Sequence, residues 1–186
     1  MEKSTVILVG NGPSLLDNKN GAVIDSYEKV VRFNLYNTKN HQEYTGVKTN
    51  TWFTVCNVQI TPREVDEIYF HVWYTNKTKH PYYHNLIKTF NNVKIIENSL
   101  LSEMKEEFKV NYNMFSTGLI AIYLMLKQHE HVTLTGFDWW DPNYKLHHYF
   151  DSKQPQFDPN KDKGHNPQLE KKIIDSYKKR IKFLGQ

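Results

Sequence analysis

The chain has 186 residues, 24 Lys and Arg against 20 Asp and Glu, and a formal charge of +4. That length suits one domain able to bury a core, and an aromatic content of 14% argues against disorder. No run approaches the ~18 apolar residues of a membrane span, no charged-then-apolar leader opens the sequence, and the single cysteine, Cys56, excludes an internal disulfide and a Cys-based metal cluster.

The positive charge suggests nucleic acid only until it is located. From Lys171 to Gln186 six basic residues stand against one acid, while the other 170 residues hold 18 basic and 19 acidic groups. The body is balanced and the basicity is C-terminal. Lys outnumbers Arg 21 to 3, which disfavours Arg-based reading of bases. No nucleic-acid partner is expected.

In chain order, the run Thr5-Val6-Ile7-Leu8-Val9 reads as a strand buried on both faces. Gly10-Asn11-Gly12-Pro13-Ser14 follows as a tight turn. Lys29–Phe33, Thr51–Val55, Glu67–Val72 and Val93–Ile96 are further strands. A helix is expected from Thr117 to Gln128, capped by Ser116 or Thr117, with Leu119, Ile120, Tyr123, Leu124 and Leu126 apolar. His131–Thr135 is the last clear strand. Residues Asp138 to Gly164 are polar, aromatic and without period, as a lid or binding segment would be. A basic helix is expected from Pro167 to about Phe183, with Leu169, Ile173, Ile174, Tyr177, Ile181 and Leu184 on its apolar side. Strands alternating with helices predict a single Rossmann-like α/β domain, a mostly parallel sheet flanked by helices. In such sheets ligands bind beyond the carboxyl ends of the strands, so the turns after the first strand and after Thr135 are the places to look.

The Gly10-Asn11-Gly12 turn could bring backbone N–H groups to a phosphate, or simply join strand to helix. It lacks the third glycine of a dinucleotide fingerprint and the Lys of a P-loop, which disfavours NAD and a Walker A site. Asn34 ends the second strand with a carbonyl and two amide hydrogens that could read a ribose or a base edge. Ser116-Thr117-Gly118 opens the central helix, either as a plain cap or as a phosphate or ribose site. His147-His148-Tyr149-Phe150-Asp151 lies in the lid, and His165 precedes the last helix, where Glu170 could support it as a base. Zinc on His147, His148 and His165 lacks the spacing of a metalloprotease helix.

In this order the motifs resemble the sialyltransferases. Leu8-Val9-Gly10-Asn11-Gly12-Pro13-Ser14-Leu15 with Val30-Val31-Arg32-Phe33-Asn34 is similar to the opening of bacterial family 42 and to the large sialylmotif of glycosyltransferase family 29. Phe115-Ser116-Thr117-Gly118 with Val132–Asp138 resembles the small sialylmotif, His148-Tyr149-Phe150-Asp151 the third motif, and His165 with Glu170 the very small motif. The resemblance implies a GT-A-variant-like fold and a metal-independent, inverting transfer of sialic acid, or of a Kdo-like sugar, from a CMP donor to a glycan or glycolipid, with no cofactor. By that carry-over His165 is the general base and His148 faces the leaving phosphate. Asn11, Gly12, Asn34, Asn57 and Tyr149 lie on the donor. Ser116, Thr117, Gly118, Gly136 and Phe137 wall its cytidine side. A non-catalytic CMP- or glycan-binding protein is the alternative. The absence of a membrane anchor and of the disulfide that joins the first two motifs in animal enzymes points to a cytoplasmic location. The basic C-terminus is either a solvated face or a peripheral contact with an anionic membrane.

Overall fold

Four consecutive aliphatic residues, Val6–Val9, form β1, and all four are buried. A strand apolar on both faces needs a layer on each side, which only a sheet covered by helices provides. The computed structural model describes residues 5–55, 64–72, 77–111, 115–139, 141, 143–152 and 166–185. Beside β1 lie β2 (Lys29–Phe33), β3 (Thr51–Val55), β4 (Glu67–His71), β5 (Val93–Ile95), β6 (Val132–Thr135) and β7 (Ile181–Phe183). They make one seven-stranded sheet in the order β5-β4-β3-β2-β1-β6-β7, with every neighbouring pair parallel. The chain steps outward from β1 to β5, then returns to place β6 against β1. The order therefore reverses between β1 and β6, the crevice where doubly wound sheets bind ligands.

The helices are α1 (Gly21–Asp25), α2 (Gln42–Thr45), α3 (Pro81–Thr89), α4 (Asn98–Phe108), α5 (Thr117–Gln128) and α6 (Pro167–Ser176). Strand alternation sorts the core into two layers. Val6, Leu8, Val31, Phe33, Phe53 and Leu134 face one side, against α5 and against Met104, Ile173 and Ile174. Ile7, Val9 and Val30 face the other, with Leu15, Ile24 and Tyr149, and Trp52, Ile68 and Phe70 continue that layer against Leu86 of α3. Each such aliphatic side chain contributes about 1.5–3 kcal/mol when fully buried.

Helix α5 is the expected one, and Ser116 is its cap, its Oγ accepting from Leu119 N at 3.1 Å. The C-terminal helix differs from expectation. It ends at Ser176, not near Phe183, and Ile181–Phe183 is a seventh strand on β6. The apolar spacing allowed a longer helix, but the free edge of β6 offers a ladder, and Val132 N donates to Arg180 O at 2.9 Å. Leu169, Ile173, Ile174 and Tyr177 pack on the core, so α6 keeps no apolar face for a bilayer. Helices α1 to α4 have no counterpart among the helices expected from the sequence. No helix among the described residues is long and apolar enough to cross a membrane.

Candidate active site

The reversal point is built by two glycine turns pressed together. Gly10 N donates to Thr135 O at 2.8 Å and Gly12 N to Gly136 O at 2.9 Å. A Cβ on Gly10 would lie 2.2 Å from Gly136 O, and one on Gly136, at φ +68°, would strike Leu15. Glycine is required here for the close approach of the turns. Two N–H groups of this turn, those of Gly10 and Gly12, therefore serve the protein and not a phosphate. The next one, Ser14 N, donates to Asp138 Oδ2 at 2.9 Å, and Ser14 Oγ donates to the other carboxylate oxygen. Burial raises the Asp138 pKa, and the Ser14 bonds oppose that shift.

The asparagines instead face a cavity. Asn11 donates through Nδ2 to Phe33 O at 3.2 Å and Leu35 O at 3.1 Å, tying the end of β1 to the end of β2. Asn34 has φ 45°, a left-handed conformation that Asn tolerates better than most residues. Its backbone is fixed by Trp52 Nε1, which donates to Asn34 O at 2.8 Å. Both side-chain oxygens, Asn11 Oδ1 and Asn34 Oδ1, are buried and have no hydrogen-bond partner. Buried acceptors in native proteins are almost always met, so these two call for a donor from outside the protein.

The cavity encloses about 340 Å³ and is lined by both asparagines, by Ser116, Thr117 and Gly118, and by the segment after β6. The N–H groups of Thr117 and Gly118 sit in the first turn of α5 and have no carbonyl within the helix to reach. That end carries the positive pole of the helix dipole. Glu170 of α6 holds it in place, 1% exposed, accepting from Ser116 N at 2.7 Å and Ser116 Oγ at 2.6 Å. Burial raises the Glu170 pKa, and the Ser116 bonds pull it back. Among the described residues the partner of this carboxylate is Ser116, a contact between residues 54 apart that spacing on one helix does not reveal.

The described part of the supposed lid is a pinned wall. Tyr149 N donates to Asn11 O at 3.0 Å, and Tyr144 OH donates to Asp17 Oδ2 at 2.6 Å, which helps push that hydroxyl up to about 12. His148 lines the cavity. Its ring stacks on Phe150, and its Nδ1 lies 3.0 Å from Asp151 Oδ2, which also accepts from His148 N. A proton on Nδ1 shared with Asp151 leaves Nε2 for the cavity.

A sequence-family model described as glycosyltransferase family 29 (sialyltransferase) matches residues 3–78 and 57–181. The chain belongs to this family. Comparison with curated protein sequences gives no match. Among solved structures, two crystal structures of a mammalian sialyltransferase align with a TM-score of 0.73 and 18% identity, over 96% of this chain and 68% of theirs. One was determined in complex with Gal-beta-1-3GalNAc-ortho-nitrophenol. At that identity the likeness concerns the fold.

Of the positions expected from the family 29 motifs, Asn11, Gly12, Asn34, Ser116, Thr117, Gly118, Gly136, Phe137 and His148 line the one cavity. Tyr149 does not. It is 4% exposed, and its hydroxyl donates to Asn37 O at 2.5 Å and accepts from Asn37 N at 3.0 Å. Burial raises its pKa, and the structure gives it the work of locking the wall to the loop after β2. His165 and Asn57 lie outside the described residues. Trp139, Asp141 and Tyr144, which are not among those expected positions, also line the cavity. Their place directly after the Gly136 turn was the available signal. Among the described residues no Lys or Arg lines the cavity, and no group of three or more His, Cys, Asp or Glu could hold a metal ion. A larger open depression of about 890 Å³, beside Tyr36, Lys48 and Asp66, takes in none of the expected site residues.

Proposed function

We propose that this family 29 chain moves an acidic keto-sugar, sialic acid or a Kdo-like sugar, from a CMP donor to a hydroxyl of a glycan or glycolipid. The observation that carries the donor reading is the pair of buried, unmet oxygens on Asn11 and Asn34 beside the start of α5. An unmet buried acceptor costs about 1–3 kcal/mol, and ribose hydroxyls or the cytosine amino group would remove that cost. The N–H groups of Thr117 and Gly118 suit the single phosphate.

In the transfer step the acceptor oxygen bonds to the anomeric carbon as the bond from that carbon to the phosphate oxygen breaks. The bonding pair leaves with CMP, and attack from the opposite face inverts the centre. His165, at the family's base position, takes the hydroxyl proton, an aid of about 10²–10⁴-fold. His148, oriented by Asp151, faces the departing phosphate, whose charge also meets the α5 terminus. The step is assigned no metal ion. The same reading keeps the chain in the cytoplasm, where exposed Lys171, Lys172, Lys178 and Lys179 could touch an anionic membrane by charge alone.

The test is a thermal-shift panel of CMP and CDP against UDP and GDP. A ligand at ~100 times its dissociation constant adds about 2.7 kcal/mol, and no preference for cytidine would overturn the donor assignment. His165→Ala should then abolish transfer with CMP binding nearly intact, and wild-type transfer should survive EDTA. Activity lost in EDTA and restored by Mn²⁺ would sink the metal-free mechanism. Tight CMP binding without CMP release under any acceptor would favour a binding protein.

A further inference from the structure

Beyond the nucleotide contacts already assigned, the cavity contains an aromatic side chain that none of the sequence motifs claims. Trp139 lines it and is partly exposed there. Its ring lies tilted against Phe137, centroids 5.8 Å apart at 35°. Phe137 is itself wedged in place: its ring meets Phe33 edge-on at 5.7 Å, and a Cβ on Gly118 would come within 3.1 Å of it. Trp139 therefore packs on a ring that is itself fixed beside the first turn of α5. Its backbone has φ 51°. A bulky residue gains nothing locally from that left-handed conformation, and outliers of this kind persist where the surroundings demand them.

Resting on the CMP reading above, we infer that Trp139 is the stacking platform for the cytosine ring of the donor. The phosphate end of the nucleotide is assigned to the α5 terminus and the hydroxyl-bearing part to Asn11 and Asn34. That leaves the base for the neighbouring aromatic wall. Phe137 cannot supply the platform alone, since its ring is occupied by Phe33 on one side and Gly118 on another. Trp139 offers a wide π-face in the same wall. Stacking is sequence-tolerant among bases, so Trp139 supplies affinity rather than selectivity for cytosine.

The experiment compares CMP with ribose 5-phosphate, which keeps the sugar and phosphate but has no base, by calorimetric titration of the full chain. Trp139→Ala should weaken CMP by about 5- to 150-fold, the range for loss of one stacked base, and leave ribose 5-phosphate unchanged. Trp139→Phe should retain most CMP affinity while abolishing the change in tryptophan fluorescence that CMP produces in the wild type. Equal losses for both ligands in Trp139→Ala would make the residue a structural support and overturn the inference. So would wild-type CMP affinity in that variant, or a fluorescence response surviving in Trp139→Phe. Wild-type protein that binds no CMP at all would overturn the donor assignment itself, and the inference with it.

Discussion

Asn11 and Asn34 share a side chain and a cavity but not a role, and the difference is measurable. Asn11 also ties β1 to β2 through Phe33 O and Leu35 O, so Asn11→Ala should lower both stability and CMP affinity. Asn34 makes no such tie with its amide, and only its backbone conformation is demanding. Asn34→Gly keeps the φ of 45° accessible while removing the ligand-facing group. The expected result is unfolding free energy within about 1 kcal/mol of wild type and CMP binding weakened by about 1 kcal/mol, roughly fivefold. Titration calorimetry and urea denaturation on the same protein check both halves, and undiminished CMP affinity would mean that water meets Asn34 Oδ1. The asparagines were legible because they end strands at the place where parallel sheets bind ligands. Glu170 was legible as a motif residue, but not its partner. Its alliance with Ser116 depends on how α6 packs against α5, which no local spacing encodes.

The C-terminal basic segment shows where sequence periodicity runs out. Leu169, Ile173, Ile174, Tyr177, Ile181 and Leu184 satisfy a helical repeat, and neither Gly nor Pro interrupts them before Gly185. The helix nevertheless ends at Ser176, because the edge of β6 gives Ile181–Phe183 a ladder of hydrogen bonds that outweighs about two more turns of helix. Arg180 secures the change of direction. Its guanidinium donates to Glu130 O at 3.0 Å, to His129 O at 2.9 Å and to Leu126 O, so a cation sits on the exposed carbonyls at the end of α5. Arg180→Ala should cost about 1–2 kcal/mol, read as a lower urea midpoint. Lys in its place should recover only part, since a point charge cannot fork across three carbonyls. An unchanged midpoint in Arg180→Ala would mean that β7 holds its place without this clamp. Charge counting alone treated Arg180 as one more solvated cation.

Across the whole molecule the two ends of the sheet do different work. The carboxyl ends of β1, β2 and β6 carry the glycine turns, the unmet asparagines and the strained Trp139, while the amino ends carry an ion cluster with no place in the chemistry. The parallel sheet and its reversal point were legible because doubly buried strands leave an unbroken apolar signature. The cluster was not, because its members come from four strands. Glu67 opens β4 and accepts from Lys29 Nζ at 2.7 Å, Lys94 Nζ at 2.6 Å and Thr51 Oγ1 at 2.9 Å. Burial alone would raise the Glu67 pKa, but these donors together outweigh it and bring the value down to about 2 from an ordinary 4.5. A carboxyl with a depressed pKa in the fold stabilises the protein at every pH above its unfolded value. That stabilisation fades as the pH falls from 4.5 through about 2, where the folded form takes up its proton. Lys94 is more than half exposed, so solvent screens part of the interaction and Glu67→Gln should cost about 1 kcal/mol near neutral pH. The gap between wild type and Glu67→Gln, followed by chemical denaturation from pH 7 downward, should hold steady to about pH 4.5 and close towards pH 2. A gap that stays constant through that window would show that the carboxylate's charge is not what binds β2, β3, β4 and β5 together. CMP affinity at neutral pH should be the same in both proteins, because the cluster lies at the far end of the strands from the cavity.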